Sequence, residues 1–104
     1  MIDKNRSIYK FRVSDEMAGF LRSLHPRLKK KVKAALGMII DDPFCGKMLK
    51  EELQGLSSFR VGRFRIIYRI TEGNIIDLVA VGPRKTIYEV TYSLIKRKEE
   101  KTGS

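Results

Sequence analysis

The chain has 104 residues and carries 22 Lys and Arg against 12 Asp and Glu, a formal net charge of +10. This length predicts one domain over residues 1–104, and a hydrophobic content of 42% excludes a disordered chain. A single cysteine excludes an intramolecular disulfide, and with a single histidine it supplies too few ligands for a zinc site. Such a positive charge favours a polyanionic partner, which could be nucleic acid, an anionic membrane or an acidic protein.

The apolar runs are short, as in residues 66–67 and 78–81, whereas a bilayer span needs about 20 apolar residues. Residues 1–11 carry charges where a signal peptide needs an apolar stretch. We therefore expect a soluble, cytoplasmic protein without a membrane partner.

The first half predicts a strand and two helices. Residues 8–13 alternate apolar and basic, which is typical of a strand. Ser14 is a suitable N-cap, and two acidic residues follow it, so a helix is expected over about residues 15–24. Pro26 begins a second helix, whose apolar stripe runs to about residue 40. So short a link predicts an antiparallel helical hairpin.

The second half predicts a β-meander. Residues 47–53 fit one more helical turn, and strands are expected at 58–61, 63–71 and 75–82, with turns at Gly62 and at residues 72–74. Residues 86–91 fit either a last strand or the start of a C-terminal helix, and the charged tail from about residue 96 should fray. The fold class is α+β, with an N-terminal strand and the helical hairpin on one face of a small antiparallel sheet.

Basic residues gather in two stretches. On the second helix, Lys29, Lys30 and Lys33 share a side, which is either a solvated face or a ridge that contacts phosphates. In the predicted strands, no acid occurs over residues 58–71. The cations of that stretch are Arg60, Arg63, Arg65 and Arg69.

Strand alternation places Arg65 and Arg69 on one sheet face, which Arg63 can join, with Ile67 between them. The residues that point the other way are Phe64, Ile66, Tyr68 and Ile70. The pattern therefore predicts one core face and one cationic face. Like charges on one surface repel each other, so this face is expected to receive an anion or an acidic partner.

A third group follows the predicted central strand. Arg84 and Lys85 lie where that strand meets a loop, and Tyr88 comes soon after. Arginine presents a planar fork of donors that matches a phosphate. Tyrosine offers a surface for base stacking and a phenol that can donate a proton, although ordinary strand packing explains Tyr88 equally well.

Two runs carry a resemblance to a known family. They are FRVGRFRIIY at residues 59–68, which follows LQGL, and VGPRKTIY at residues 81–88. Together with the strand–helix–helix start, these runs resemble the RelE/ParE toxin superfamily over about residues 8–90. The resemblance implies a toxin of a bacterial toxin–antitoxin pair that enters the ribosomal A site and cuts messenger RNA without a metal or other cofactor. The ribose 2′-hydroxyl attacks the adjacent phosphorus and leaves a cyclic phosphate.

By position, the resemblance implies four catalytic residues: Arg60, Arg65, Arg84 and Tyr88. This chain departs from the pattern at Pro83, where many ribonuclease members carry a histidine, and near Ser58, where some carry a lysine. Lys47 or Lys50 would then supply the base, and Tyr88 the acid. The residues expected to contact RNA phosphates are Lys29, Lys30, Lys33, Lys47, Lys50, Arg63, Arg69 and Lys85.

These departures keep two alternatives open. ParE-like members share the fold and block DNA gyrase as binding modules, and a basic RNA- or ribosome-binding protein without catalysis also fits. Either toxin implies a cognate antitoxin with an acidic or amphipathic segment that lies across the helices or the cationic sheet face. The further partners are the ribosome and messenger RNA, or else gyrase.

Overall fold

The computed structural model describes residues 8–102, with side chains to residue 97. The helices are α1 (Asp15–Ser23), α2 (Pro26–Asp41) and α3 (Ile87–Thr102). The strands are β1 (Lys10–Arg12), β2 (Lys47–Met48), β3 (Ser57–Val61), β4 (Phe64–Thr71) and β5 (Ile75–Pro83). Single 3₁₀ turns lie at Pro43–Cys45 and Glu51–Leu53.

Capping groups fix the ends of the first two helices. Ser14 accepts a hydrogen bond from the Met17 amide at 3.1 Å and so caps α1. Pro26 occupies the first turn of α2, where its missing N–H costs nothing. The His25 ring Nδ1 accepts from the Arg27 amide at 3.2 Å. Both predicted helices are confirmed to within one residue at each end.

The five strands form one sheet in the order β1-β5-β4-β3-β2. The meander of β3 to β5 is antiparallel, as predicted, and β2 pairs with β3 in the same sense. In contrast, β1 pairs with β5 in parallel, from Lys10↔Ile75 to Arg12↔Asp77. The sheet is therefore mixed. The alternation of residues along β1 predicts which sheet face each side chain takes. It does not predict whether the neighbouring strand runs parallel or antiparallel to β1.

Apolar layers cover both faces of the sheet. The first core lies under α1 and α2 and includes Ile39, Ile66 and Tyr68. The second lies under α3 and consists of Leu56, Ile67, Ala80 and Ile87. The expectation of one wholly cationic face is therefore wrong, because α3 covers the middle of that face.

For residues 86–91, the second of the two predicted alternatives is confirmed, because helix α3 begins at Ile87. Two other segments differ in detail from their prediction. Residues 47–53 divide into the two-residue strand β2 and a 3₁₀ turn. The charged tail from residue 96 continues α3 as far as Thr102. The single-domain organisation stays a prediction.

A buried phenol fixes the loop that precedes β2. The Tyr68 hydroxyl donates to the Pro43 carbonyl at 2.7 Å and accepts from the Gly46 amide at 3.1 Å. A Cβ at Gly46 would overlap this hydroxyl, so only glycine lets the loop approach so closely. Tyr68 thereby sets the position at which β2 joins the sheet.

Replacing Tyr68 with phenylalanine is expected to lower the free energy of unfolding by about 1–3 kcal/mol, because the buried Pro43 carbonyl and the part-buried Gly46 amide lose their partner. Urea denaturation of both proteins measures the difference. Tyr92→Phe is the matched control, since that ring is 38% exposed, and it should leave the denaturation midpoint unchanged. An equal effect of both substitutions would contradict the role of the Tyr68 hydroxyl.

Candidate active site

A tight hairpin brings two arginines face to face. Between β3 and β4, Gly62 and Arg63 form a two-residue turn, in which Gly62 has a φ of 58°. A positive φ at the first turn position is typical of type II′ hairpins and favours glycine. The turn sets Arg60 directly opposite Arg65, and opposed residues project from the same sheet face. Two guanidinium groups therefore share one surface beside the turn.

Arg65 contacts a serine and a tyrosine from two other elements. Its Nη1 donates to Ser58 Oγ at 3.2 Å, and its Cζ lies 5.9 Å from the centre of the Tyr88 ring. The Tyr88 hydroxyl also donates to Ser58 Oγ, at 3.5 Å. Strands β3 and β4 and helix α3 thus each contribute one side chain to a single cluster.

A close contact between β5 and α3 places Tyr88. Gly82 lies opposite Arg65, and a Cβ at Gly82 would stand 3.0 Å from Ile87 Cδ1. The missing side chain lets Ile87, which is 2% exposed, settle on the strand. Tyr88, the next residue of the first turn of α3, then reaches the Arg65 guanidinium.

The loop after β5 is tied to the β3–β4 turn. The Arg84 amide donates to the Arg63 carbonyl at 2.8 Å, so the backbones of Arg63 and Arg84 adjoin at this end of the sheet. Both side chains are exposed, as is that of Lys85. They extend the basic surface around Arg60 and Arg65.

Strand register separates the two lysines proposed as a base. Lys47 on β2 lies directly opposite Ser58, so it projects from the face that carries the cluster. Lys50 lies beyond the end of β2 and precedes the 3₁₀ turn. Geometry therefore favours Lys47 over Lys50 as the amine of this site.

No carboxylate among the described side chains neutralises the arginines of this cluster. Among the side chains described in residues 8–97, Arg60, Arg65 and Arg84 form no ion pair, and the ion pairs present join Asp77 to Arg12 and Arg69. The Arg60 Nε donates to the Gly62 carbonyl, at 3.4 Å. The cluster is a concentrated positive charge that an anion can offset.

Comparison with known proteins identifies the family. The family profile described as the ParE toxin of the type II toxin–antitoxin system parDE matches residues 11–88. The Mycobacterium tuberculosis protein named toxin RelE is 31% identical over 71 residues, and the match covers 62% of this chain and 73% of that protein. The chain belongs to the RelE/ParE superfamily of type II toxins.

Solved structures agree with this assignment. A chain of the RelBE2 toxin–antitoxin complex from M. tuberculosis matches with a TM-score of 0.63 at 32% identity, over 73% of this chain and 98% of that one. A mutant of the Escherichia coli toxin RelE in the free state matches with a TM-score of 0.68 at 16% identity, over 86% and 97% of the two chains. The second similarity supports the α+β fold alone. The toxin's fold class is thus confirmed, and RelE-like relatives are favoured.

Arg69 lies apart from the basic cluster of the toxin. It shares the sheet face of Arg65, as alternation predicts, but the apolar Ile67 separates the two and lies under α3. Arg69 Nη2 contacts Asp77 Oδ2 at 3.4 Å, and Arg12 Nη2 donates to the same carboxylate oxygen at 2.7 Å. The expectation that Arg69 lies on a surface without acidic partners is therefore wrong, because Arg69 shares the Asp77 carboxylate with Arg12.

The Asp77 carboxylate makes the folding stability of the toxin depend on pH in the acid range. Hydrogen bonding by Arg12, with further contributions from the Arg12 and Arg69 charges, outweighs partial burial and lowers the pKa of the Asp77 carboxyl below its ordinary value of 3.8. The unfolded chain binds a proton more readily at this carboxyl. The stabilisation is therefore complete above the ordinary pKa and is lost as the pH falls through the lower folded-state value.

Asp77→Asn is expected to reduce the free energy of unfolding near neutral pH, and the deficit relative to wild type should shrink as the solution is acidified below about pH 4. Urea denaturation of both proteins over that pH range measures it. A deficit that stays constant down to about pH 2 would show that the carboxylate charge does not contribute.

The lysines of α2 occupy the other side of the toxin. Helix α2 packs on the first core, across the sheet from α3 and Tyr88. Lys29, Lys30 and Lys33 are exposed there, so they do not join the cluster of Arg65. The Lys29 ammonium donates to the Arg22 carbonyl at 3.0 Å, a favourable position for a cation at the C-terminal end of α1.

The sequence did not predict a contribution of Ser58 to the site. The family pattern marks this position only as one near which some members carry a lysine, whereas the structure places the Ser58 hydroxyl between Arg65 and Tyr88. A serine two residues before Arg60 on the same strand shares that arginine's face, and this spacing was the available signal. The contact with Tyr88 could not be foreseen without knowing that residues 86–91 begin a helix.

No helix within residues 8–102 combines the length and apolar character needed to cross a membrane.

Proposed function

We propose that this toxin inhibits translation by cutting messenger RNA on the ribosome without a metal ion. The observation that carries the proposal is the cluster of Arg65, Ser58 and Tyr88 beside Arg60, with no carboxylate to neutralise these arginines among the described side chains. Such a cluster offers a phosphate two things at once, a concentrated positive charge and a phenolic proton.

The reaction makes three demands on the site. The 2′-oxygen loses its proton and forms a bond to phosphorus, and the bond from phosphorus to the 5′-oxygen breaks. Lys47 takes the 2′ proton in its neutral amine form and becomes an ammonium, because an ammonium releases its own proton far more readily than a guanidinium does and can therefore supply that neutral form. Tyr88 donates a proton to the departing 5′-oxygen.

The arginines meet the third demand, because they stabilise the negative charge that develops on the equatorial oxygens of the phosphorane. Arg60 and Arg65 approach from the hairpin, and Arg84 from the loop after β5. Arg63 and Lys85 lie at this end of the sheet and hold the neighbouring phosphates of the message. Lys50 follows β2 on the side away from the β3–β4 turn and can reach only a more distant phosphate.

Incubation of the purified toxin with ribosomes stalled on a defined message tests the proposal. We expect cuts within the A-site codon and none in the same message free in solution, with products that end in a cyclic phosphate. An intact ribosome-bound message would overturn the proposal.

Inhibition of DNA gyrase is the second candidate, and two observations favour it. The family profile that matches the chain is that of ParE toxins, and Pro83 cannot transfer a proton. In this case the toxin acts as a non-catalytic binding module. A supercoiling assay distinguishes the candidates, since a ParE-like toxin arrests gyrase at toxin concentrations that leave ribosome-bound message intact.

A cognate antitoxin is the partner that either activity requires. One relative of this toxin was solved as a toxin–antitoxin complex at 32% identity. With a net charge of +10, the toxin suits an acidic segment that lies across the arginine cluster or the α1–α2 hairpin and neutralises it. Ribosomes and gyrase both place its action in the cytoplasm.

A further inference from the structure

We propose that Ser58 is a positioning residue of the cleavage site, which holds the Arg65 guanidinium and the Tyr88 phenol in the arrangement that the reaction uses. The inference rests on the proposed nuclease function and adds a residue for which the family resemblance supplies no role. Its basis is the pair of hydrogen bonds that end on one buried hydroxyl.

The surroundings of Ser58 set it apart from an ordinary buried hydroxyl. Within the described residues, Ser58 and Thr91 are the buried polar side chains, at 2% and 0% exposure. Thr91 donates to the Ile87 carbonyl one helical turn earlier, at 2.7 Å, which is a purely local bond. Ser58 Oγ instead accepts from Arg65 and Tyr88, which are 7 and 30 residues away in the chain.

Arg65 depends on these contacts for its orientation. Its Nε is buried and has no hydrogen-bond partner within the described part of the chain. The guanidinium is therefore oriented by Ser58 at 3.2 Å and by the Tyr88 ring at 5.9 Å. A long side chain fixed before the substrate arrives spends no free energy on ordering during the reaction. Removing the Ser58 hydroxyl would free the guanidinium to take other rotamers.

The hydroxyl also suits both states of Tyr88. In the free toxin the phenol donates to Ser58 Oγ. Once the phenol has given its proton to the 5′-oxygen, the serine hydroxyl can rotate and donate to the phenolate that remains, because a hydroxyl both donates and accepts. The proton balance of the step is unchanged, since Ser58 keeps its own proton.

Single-turnover cleavage of ribosome-bound message tests the inference. We expect Ser58→Ala to reduce the maximal single-turnover rate by about 30-fold. The toxin concentration that gives half of this rate should change less than about twofold, because the substitution disturbs the orientation of Arg65 and Tyr88 rather than the binding of the message. Ser58→Thr, which keeps the hydroxyl, should recover most of the rate. Ser23→Ala is the control, since this exposed serine lies on α1, which packs on the opposite face of the sheet.

A double-mutant cycle shows whether Ser58 acts through Tyr88. In a Tyr88→Phe background, Ser58→Ala should cost less than about threefold, because most of its effect requires the phenol. The inference would be overturned by an equal loss of rate in both backgrounds. It would also be overturned by an unchanged maximal single-turnover rate in Ser58→Ala, or by a Ser58→Thr variant as slow as the alanine variant.

A second readout keeps the inference separate from the proposed function. Hydrogen exchange at the Arg65 Nε–H, followed by NMR in the free toxin, should be slow in wild type and markedly faster in Ser58→Ala. If wild type does not cut message, the nuclease proposal fails, and exchange alone then decides whether Ser58 positions Arg65. Equal exchange in both proteins would refute the positioning itself.

Discussion

Replacing Arg65 with alanine is expected to slow cleavage of ribosome-bound message by about 10²–10³-fold, the loss typical of removing a preorganised donor from a developing charge. Arg65 has the greatest expected effect because it is held by both Ser58 and Tyr88, so the substitution removes a charge and loosens the phenol together. The measurement is the single-turnover rate at saturating toxin.

Arg65→Lys should recover only a small part of the rate. An ammonium lacks the planar set of donors with which a guanidinium can bond to Ser58 and to a phosphate at the same time. Arg22→Ala is the control, since this exposed arginine lies on α1, across the sheet from the cluster. A rate for Arg65→Ala within about threefold of wild type would show that this guanidinium does not stabilise the transition state.

Arg84→Ala is expected to give the second-largest effect, a loss of about 10²-fold or more in the same rate. The substitution tests chemistry cleanly, because the bond that ties this loop to the β3–β4 turn comes from the Arg84 backbone amide and survives in alanine. Thermal denaturation should therefore show the same midpoint for both proteins. An undiminished rate would remove Arg84 from the site.

The sequence was sufficient to predict the fold where the signals were local. The Ser14 cap, Pro26 and the strand periodicity located α1, α2 and the meander, because capping and alternation act over a few residues. The direction of β1 and the helical state of residues 86–91 depend on partners distant in the chain. Tyr88 contacts Arg65, which lies 23 positions earlier in the chain, and no local sequence pattern predicts such a contact.

The site could be predicted as a set of residues but not as an arrangement. The run from Phe59 to Tyr68 identified Arg60 and Arg65, and strand alternation correctly placed Arg65 and Arg69 on one face. Alternation could not show that α3 covers the space between Arg65 and Arg69, nor that Arg69 forms an ion pair with Asp77. Charge compensation across strands depends on register, which the sequence of a single strand does not contain.

A message that carries a single 2′-deoxy nucleotide at the position of the cut tests the central claim most directly. If the arginine cluster stabilises attack by the 2′-oxygen, the wild-type toxin should leave the substituted ribosome-bound message intact while cutting the all-ribose message to a 2′,3′-cyclic phosphate and a 5′-hydroxyl. Cutting of the substituted message at the same bond would contradict the claim, since no 2′-oxygen would be present to attack.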